Sequence, residues 1–102
     1  MAERDVEARL VRGVRKLGGV CWKWVSPGRV GVPDRIALLP HGVVAFVEVK
    51  DDDGQVSRQQ ELTLREIGDL GHPVYVVHGA EGVDMLLELM AEEVEFMRRS
   101  IQ

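Results

Sequence analysis

Apolar positions along the chain change period several times, and each change predicts an element. Val6, Leu10, Val14 and Leu17 recur at the spacing of one helix face, and Gly18-Gly19 ends that run. From Val20 to Val25 the residues alternate around Trp22 and Trp24, which predicts a short strand with both tryptophans and the small Cys21 in the core. Ser26 to Pro33 is broken by Pro27, Gly28 and Gly31 and reads as a loop. Arg35 to Leu39 and Val43 to Val49 predict two strands, with Pro40-His41-Gly42 as a tight turn between them. Ser57 to Leu70 predicts a helix that ends at Gly71 and opens on Ser57-x-x-Gln60, a capping-box pattern. Pro73 to His78 is a continuous apolar run, as expected of a strand in the middle of a sheet. Val83, Leu86, Leu87, Met90, Val94 and Met97 mark a closing amphipathic helix, and Met85, Leu89 and Phe96 fall off its stripe.

The resulting order is αβββαβα. Three consecutive strands can pair as a meander, and the fourth, reached through a helix, should run parallel to a neighbour by a right-handed crossover. An α/β fold with a mixed sheet flanked by helices is expected. The chain shows no repeat, low-complexity tract or linker, so a single domain over 1–102 is expected.

Composition changes this picture mainly through charge. The net charge of −4 is unevenly spread: residues 1–35 hold eight Lys/Arg against four Asp/Glu, and residues 36–102 hold five against thirteen. The first third is therefore the part that would meet a polyanion. No apolar run approaches the ~20 residues that span a bilayer, so no membrane association is expected. Glu3, Arg4, Asp5, Glu7 and Arg9 are not the start of a signal peptide, and the single Cys21 allows neither an internal disulfide nor a cysteine-based zinc site. A cytoplasmic location is expected.

The candidate chemistry lies at two charged strand ends, Pro33-Asp34 and Glu48-Val49-Lys50. If the hairpin is centred on His41, Asp34 stands opposite Glu48, Ile36 opposite Phe46 and Leu38 opposite Val44. Directly opposed side chains share a face with Cβ atoms about 4.5–5.5 Å apart, and Lys50 points to that face as well. Two carboxylates at about 5 Å repel by roughly 3 kcal/mol at an effective dielectric of 20. Protonation, Lys50 or a divalent cation can relieve that. Oxygen donors, including the Val49 carbonyl, suit Mg²⁺ or Mn²⁺. A metal between acids with a lysine beside it suits phosphodiester hydrolysis. Lys50 would then stabilise charge on the phosphate or help to position and deprotonate the nucleophile. Asp51-Asp52-Asp53-Gly54 does not fit a calcium loop, because with Gly54 as the loop glycine the first and last positions would be Val49 and Gln60; a polar turn is expected.

Pro33-Asp34 with Glu48-x-Lys50 resembles the motif of the PD-(D/E)xK nuclease superfamily, whose fold is restriction-endonuclease-like. More narrowly, "SPGRVGVPDRIALLPHGVVAFVEVK" followed by Ser57-x-x-Gln60 resembles the VRR-Nuc family of small phage and bacterial nucleases, over roughly residues 3–78. The resemblance implies a metal-dependent DNA endonuclease using Mg²⁺ or Mn²⁺, with Asp34, Glu48, Lys50, Gln60 and Glu7 catalytic. It implies a metal held by Asp34, Glu48, Val49 and Glu7, with Glu3 as the competitor for the helical acid. Lys23, Ser26 and Arg29 match positions that meet the DNA backbone. Some stand-alone members act as homodimers on branched DNA such as Holliday junctions, so structure-selective cleavage by a homodimer is expected. The alternative is a catalytically silent nuclease-like DNA-binding or assembly module. The triple acid after Lys50 departs from the family pattern and should repel DNA locally.

Overall fold

The computed structural model describes residues 1–101. Its elements are α1 (Glu3–Lys16), β1 (Val20–Lys23), β2 (Arg35–Leu38), a short 3-10 turn (Pro40–Gly42), β3 (Val44–Lys50), α2 (Arg58–Asp69), β4 (Val74–His78) and α3 (Gly79–Ser100). The αβββαβα order is as expected from the apolar periods. Strands lie in the order β1-β2-β3-β4, antiparallel for the first two pairings and parallel between β3 and β4.

Every pairing joins residues of equal parity: Trp22 with Ile36, Ile36 with Phe46, Phe46 with Val74. Side chains alternate along each strand, so the odd-numbered residues of all four strands share one face and the even-numbered residues share the other. The odd face carries the core. Cys21, Ala37, Ala45, Val47, Val49 and Val77 pack there against Val6, Leu10 and Val14 of α1 and Val83, Leu86 and Met90 of α3. The two helices approach closely at Gly13, where an added Cβ would fall on the Leu87 side chain. The even face meets only α2, toward the β3–β4 side.

Three expectations are corrected. The strand at Val74–His78 is an edge, not a central strand. Its apolar run reflects α3 over the Val77 face and α2 beside Val74 on the other, while Val76 is exposed. Trp22 is 60% exposed, because it points to the even face of an edge strand beyond the reach of α2. Trp24 is half-buried, with its ring 5.5 Å from that of Phe46. Met97 also departs from the expected buried stripe and is exposed.

Candidate active site

The β2–β3 hairpin sets the site. Its three-residue loop holds His41 at φ 62° and Gly42 at φ 79°, and Leu39 N–H donates to the Val43 carbonyl at 2.8 Å. The register that follows pairs Ile36 with Phe46 and Arg35 with Val47. Continued by one residue, it sets Asp34 across from Glu48. The ladder does not end in a pair of backbone bonds there. The Asp34 side chain takes over, its Oδ2 accepting from the Val49 N–H at 3.0 Å.

Glu48 is almost fully buried. Its Oε2 accepts from Gln60 Nε2 at 3.0 Å and lies 3.4 Å from Lys50 Nζ. Its Oε1 is buried and has no hydrogen-bond partner among the described residues. Burial, and then the neighbouring Asp34 carboxylate, push the Glu48 carboxyl up to about 7, against the pull of Lys50. An isolated buried charge would be strongly disfavoured; the lysine and the amide reduce that cost without filling the second oxygen. Lys50, with its side chain only 13% exposed, is held over this group.

Gln60 serves two structures at once. Its backbone N–H donates to Ser57 Oγ at 3.1 Å and its Oε1 accepts from Ser57 N–H at 2.9 Å, closing the capping box. Its remaining amide nitrogen reaches Glu48. The start of α2 and the orientation of the buried glutamate therefore depend on one side chain.

Glu7 is not part of this group. Its Oε2 accepts from Arg35 Nε at 2.6 Å and lies 3.9 Å from Lys23 Nζ. Arg35 and Lys23 are odd-numbered and point to the α1 face, so the helical acid meets cations there. Arg35 also donates to the Cys21 carbonyl at 3.1 Å. No cluster of three or more His, Cys, Asp or Glu side chains among the described residues is arranged to hold a metal. Glu3, the competitor, is exposed on the first turn of α1. Arg35 was not among the expected site residues. The signal that could have found it is parity, since a cation at an odd position of β2 faces the core helices and needs an acid there.

The loop between β1 and β2 is docked on α2. Thr63, buried, donates through Oγ1 to the Val30 carbonyl at 2.9 Å, and Arg29 pairs with Glu66 at 3.0 Å. Ser26 accepts through its carbonyl from Arg29 N–H at 3.4 Å, closing a turn. Gly31 has φ 88°, and a Cβ there would lie 2.8 Å from the Gln59 carbonyl oxygen. Gly31→Ala is therefore expected to destabilise the protein by more than about 1 kcal/mol and to loosen the loop. Thermal melting with limited proteolysis across residues 25–32 checks this, and an unchanged melt with an uncut loop would remove the loop–helix contact from the account.

Beyond Lys50, Asp51 Oδ1 accepts from Asp53 N–H at 3.0 Å and the Asp51 carbonyl from Gly54 N–H at 3.3 Å. The triple acid is thus a self-closed polar turn, as expected. His78, beside Lys50 in the parallel register, lies with Nε2 3.0 Å from the Gly54 carbonyl. Cys21 is buried, and burial pushes its thiol up to about 11, consistent with an inert core residue.

A mixed four-stranded sheet that brings Pro-Asp, a buried Glu and the Lys of an E-x-K together at one end is the arrangement of a PD-(D/E)xK-type nuclease fold. The model of the VRR-NUC domain matches residues 5–81, and the chain belongs to that family. It is similar to a solved structure described as a VRR_NUC domain, with a TM-score of 0.79 and 32% identity, covering 84% of this chain and 94% of the other. It is also 44% identical over 75 residues to "Putative nuclease p44" of Acyrthosiphon pisum secondary endosymbiont phage 1, covering 74% of this chain and 81% of the relative. The family is one of nuclease domains. No helix among the described residues is long and apolar enough to cross a membrane.

Proposed function

We propose that this protein is a Mg²⁺- or Mn²⁺-dependent endonuclease that hydrolyses phosphodiester bonds in DNA, selecting branched substrates. The observation that carries the reading is the buried, unpartnered Glu48 Oε1 beside Asp34 and Lys50. A buried carboxylate oxygen without a hydrogen-bond donor is costly, and a cation satisfies it. The donor set of Asp34, Glu48 and the Val49 carbonyl is all oxygen, which fits a hard divalent ion. When bound, such an ion supplies polarisation of the phosphoryl oxygen and a more acidic water.

The chain's own residues do the rest. Gln60 holds the Glu48 carboxylate in one orientation, and the Val49 N–H does the same for Asp34. The Lys50 ammonium, held beside Glu48, donates to charge that builds on the phosphate or fixes the attacking water. Glu7 enters this set only by leaving Arg35. Lys23 and Arg29 meet the DNA backbone. Their present pairs with Glu7 and Glu66 are solvent-exposed on the cation side; such pairs are worth about 0–1 kcal/mol and exchange readily for phosphate. Ser26 lies in the same loop.

A symmetric cut of a four-way junction needs two sites, so the active form is proposed to be a homodimer. Met85 and Phe96, 67% and 68% exposed on α3, are its candidate contact residues with Leu89. The test is a cleavage panel of linear, flap, nicked and four-way DNA in Mg²⁺, Mn²⁺ or EDTA, run beside light scattering. Metal-dependent incision with paired cuts near the junction centre by a dimer is expected. Cleavage that survives EDTA would overturn the metal reading. DNA binding without cleavage would leave a silent binding or assembly module. A monomer that only nicks would remove junction selectivity.

A further inference from the structure

We propose that Trp22 is a stacking platform for an unpaired base of the bound strand, two strands across the sheet from Glu48. The proposal rests on the nuclease reading above and adds a determinant of substrate structure to it. The even face of the sheet carries Trp22, Ile36 and Phe46 in one row, and Trp24, Asp34 and Glu48 in the next, by the strand registers and the Trp24 N–H to Asp34 carbonyl bond of 2.9 Å. Strand spacing and residue rise put Trp22 on the order of 12 Å from Glu48, within a few nucleotides of a phosphate held there.

The two tryptophans differ. Trp24 is packed on Phe46, which in turn meets His72 edge-on at 6.2 Å. Trp22 has no ring partner among the described residues and is 60% exposed. On this face α2 covers the β3 side through Gln60 and Glu48, and Trp22 stands exposed on the edge strand β1. The loop that follows its strand carries Arg29, and Lys50 lies on the same face of the sheet beside Glu48, whereas Lys23, at an odd position, faces α1. A polyanionic strand fits that charge, and a splayed base offers a flat apolar face to an indole that has none of its own to meet. Bases locked in a duplex present only their edges, so the platform favours junction centres, flaps and single strands.

The test compares wild type, Trp22→Ala and Trp22→Phe for binding to oligothymidylate, to a four-way junction and to a fully paired duplex with hairpin-capped ends, with Ca²⁺ in place of Mg²⁺. Trp22→Ala is expected to weaken binding to oligothymidylate and to the junction by roughly tenfold or more, to leave the capped duplex nearly unchanged, and to melt close to wild type. Trp22→Phe should keep most of the affinity. Oligothymidylate should quench wild-type tryptophan fluorescence, and the quench should largely disappear in Trp22→Ala. Equal loss on capped duplex would mean a backbone contact, and a change of oligomeric state would mean that Trp22 covers a second copy; either overturns the platform. A wild-type protein that binds and cuts DNA, with Trp22→Ala indistinguishable from it, removes the platform alone. A wild-type protein that neither binds nor cuts DNA removes the nuclease reading with it.

Discussion

Lys50→Ala is expected to lower DNA cleavage by about two to three orders of magnitude while leaving the fold and DNA affinity close to wild type. The lysine is nearly enclosed and 3.4 Å from Glu48, so it is placed to act at the reacting phosphate rather than on the flanking backbone. Bulk affinity is assigned to Lys23, Arg29 and the basic residues of α1, none of which the substitution touches. The same change removes the cation that offsets the Asp34–Glu48 repulsion, so a small drop in melting temperature is expected in metal-free buffer above neutral pH. The decisive measurement is single-turnover cleavage beside circular dichroism and electrophoretic retardation in Ca²⁺. A folded Lys50→Ala protein with near wild-type turnover would remove Lys50 from the catalytic set.

Glu48→Gln should separate metal binding from stability. Burial, and then the Asp34 carboxylate, push the Glu48 carboxyl of the folded chain up from its ordinary 4.5 to about 7. The native state therefore binds this proton more tightly. Its contribution to stability is fully present below about pH 4 and is lost as pH rises through about 7. Above that the ionised carboxyl costs the metal-free protein about 3 kcal/mol. Glutamine carries no such proton, so in EDTA at pH 8 Glu48→Gln should melt higher than wild type, with the gap closing toward pH 5. Mg²⁺ or Mn²⁺ should reverse the order. Binding to the native state alone adds about 4.1 kcal/mol at a thousandfold excess over Kd, in wild type and not in the variant, which exceeds that cost. The wild-type metal shift should grow as pH rises through about 7, since the cation competes with the proton. Melting curves from pH 5 to 9 decide it. Should Glu48→Gln melt below wild type at pH 8 in EDTA, the ionised glutamate would be a net stabiliser and the vacant-oxygen argument would fail.

The parts of this protein that could be read along the chain are those fixed by short-range rules. The hairpin loop length fixes the pairing of Ile36 with Phe46, and with it the approach of Asp34 to Glu48. Ser57 and Gln60 form the capping box that their spacing suggests, and the Glu48 contact uses the part of Gln60 that the cap leaves over. What could not be read depends on which faces the helices cover. Alternation in β1 divides Trp22 and Trp24 from Cys21 but does not say that only the Cys21 face is roofed. The apolar run of β4 is silent about its lateral neighbours, and Val76 within it is exposed. The Glu7–Arg35 pair joins residues 28 positions apart, with no local pattern to announce it.

The three-residue turn at Pro40–Gly42 lies at the far end of the hairpin from the acids, yet it works as a length gauge for the site. A slip of the β2–β3 pairing by one residue would send Asp34 and Glu48 to opposite sides of the sheet, and the closing Leu39–Val43 bond holds the pairing against it. His41 bears the backbone cost of a positive φ there, on the order of 1 kcal/mol, so selection on a distant catalytic pair can preserve a loop that touches no substrate.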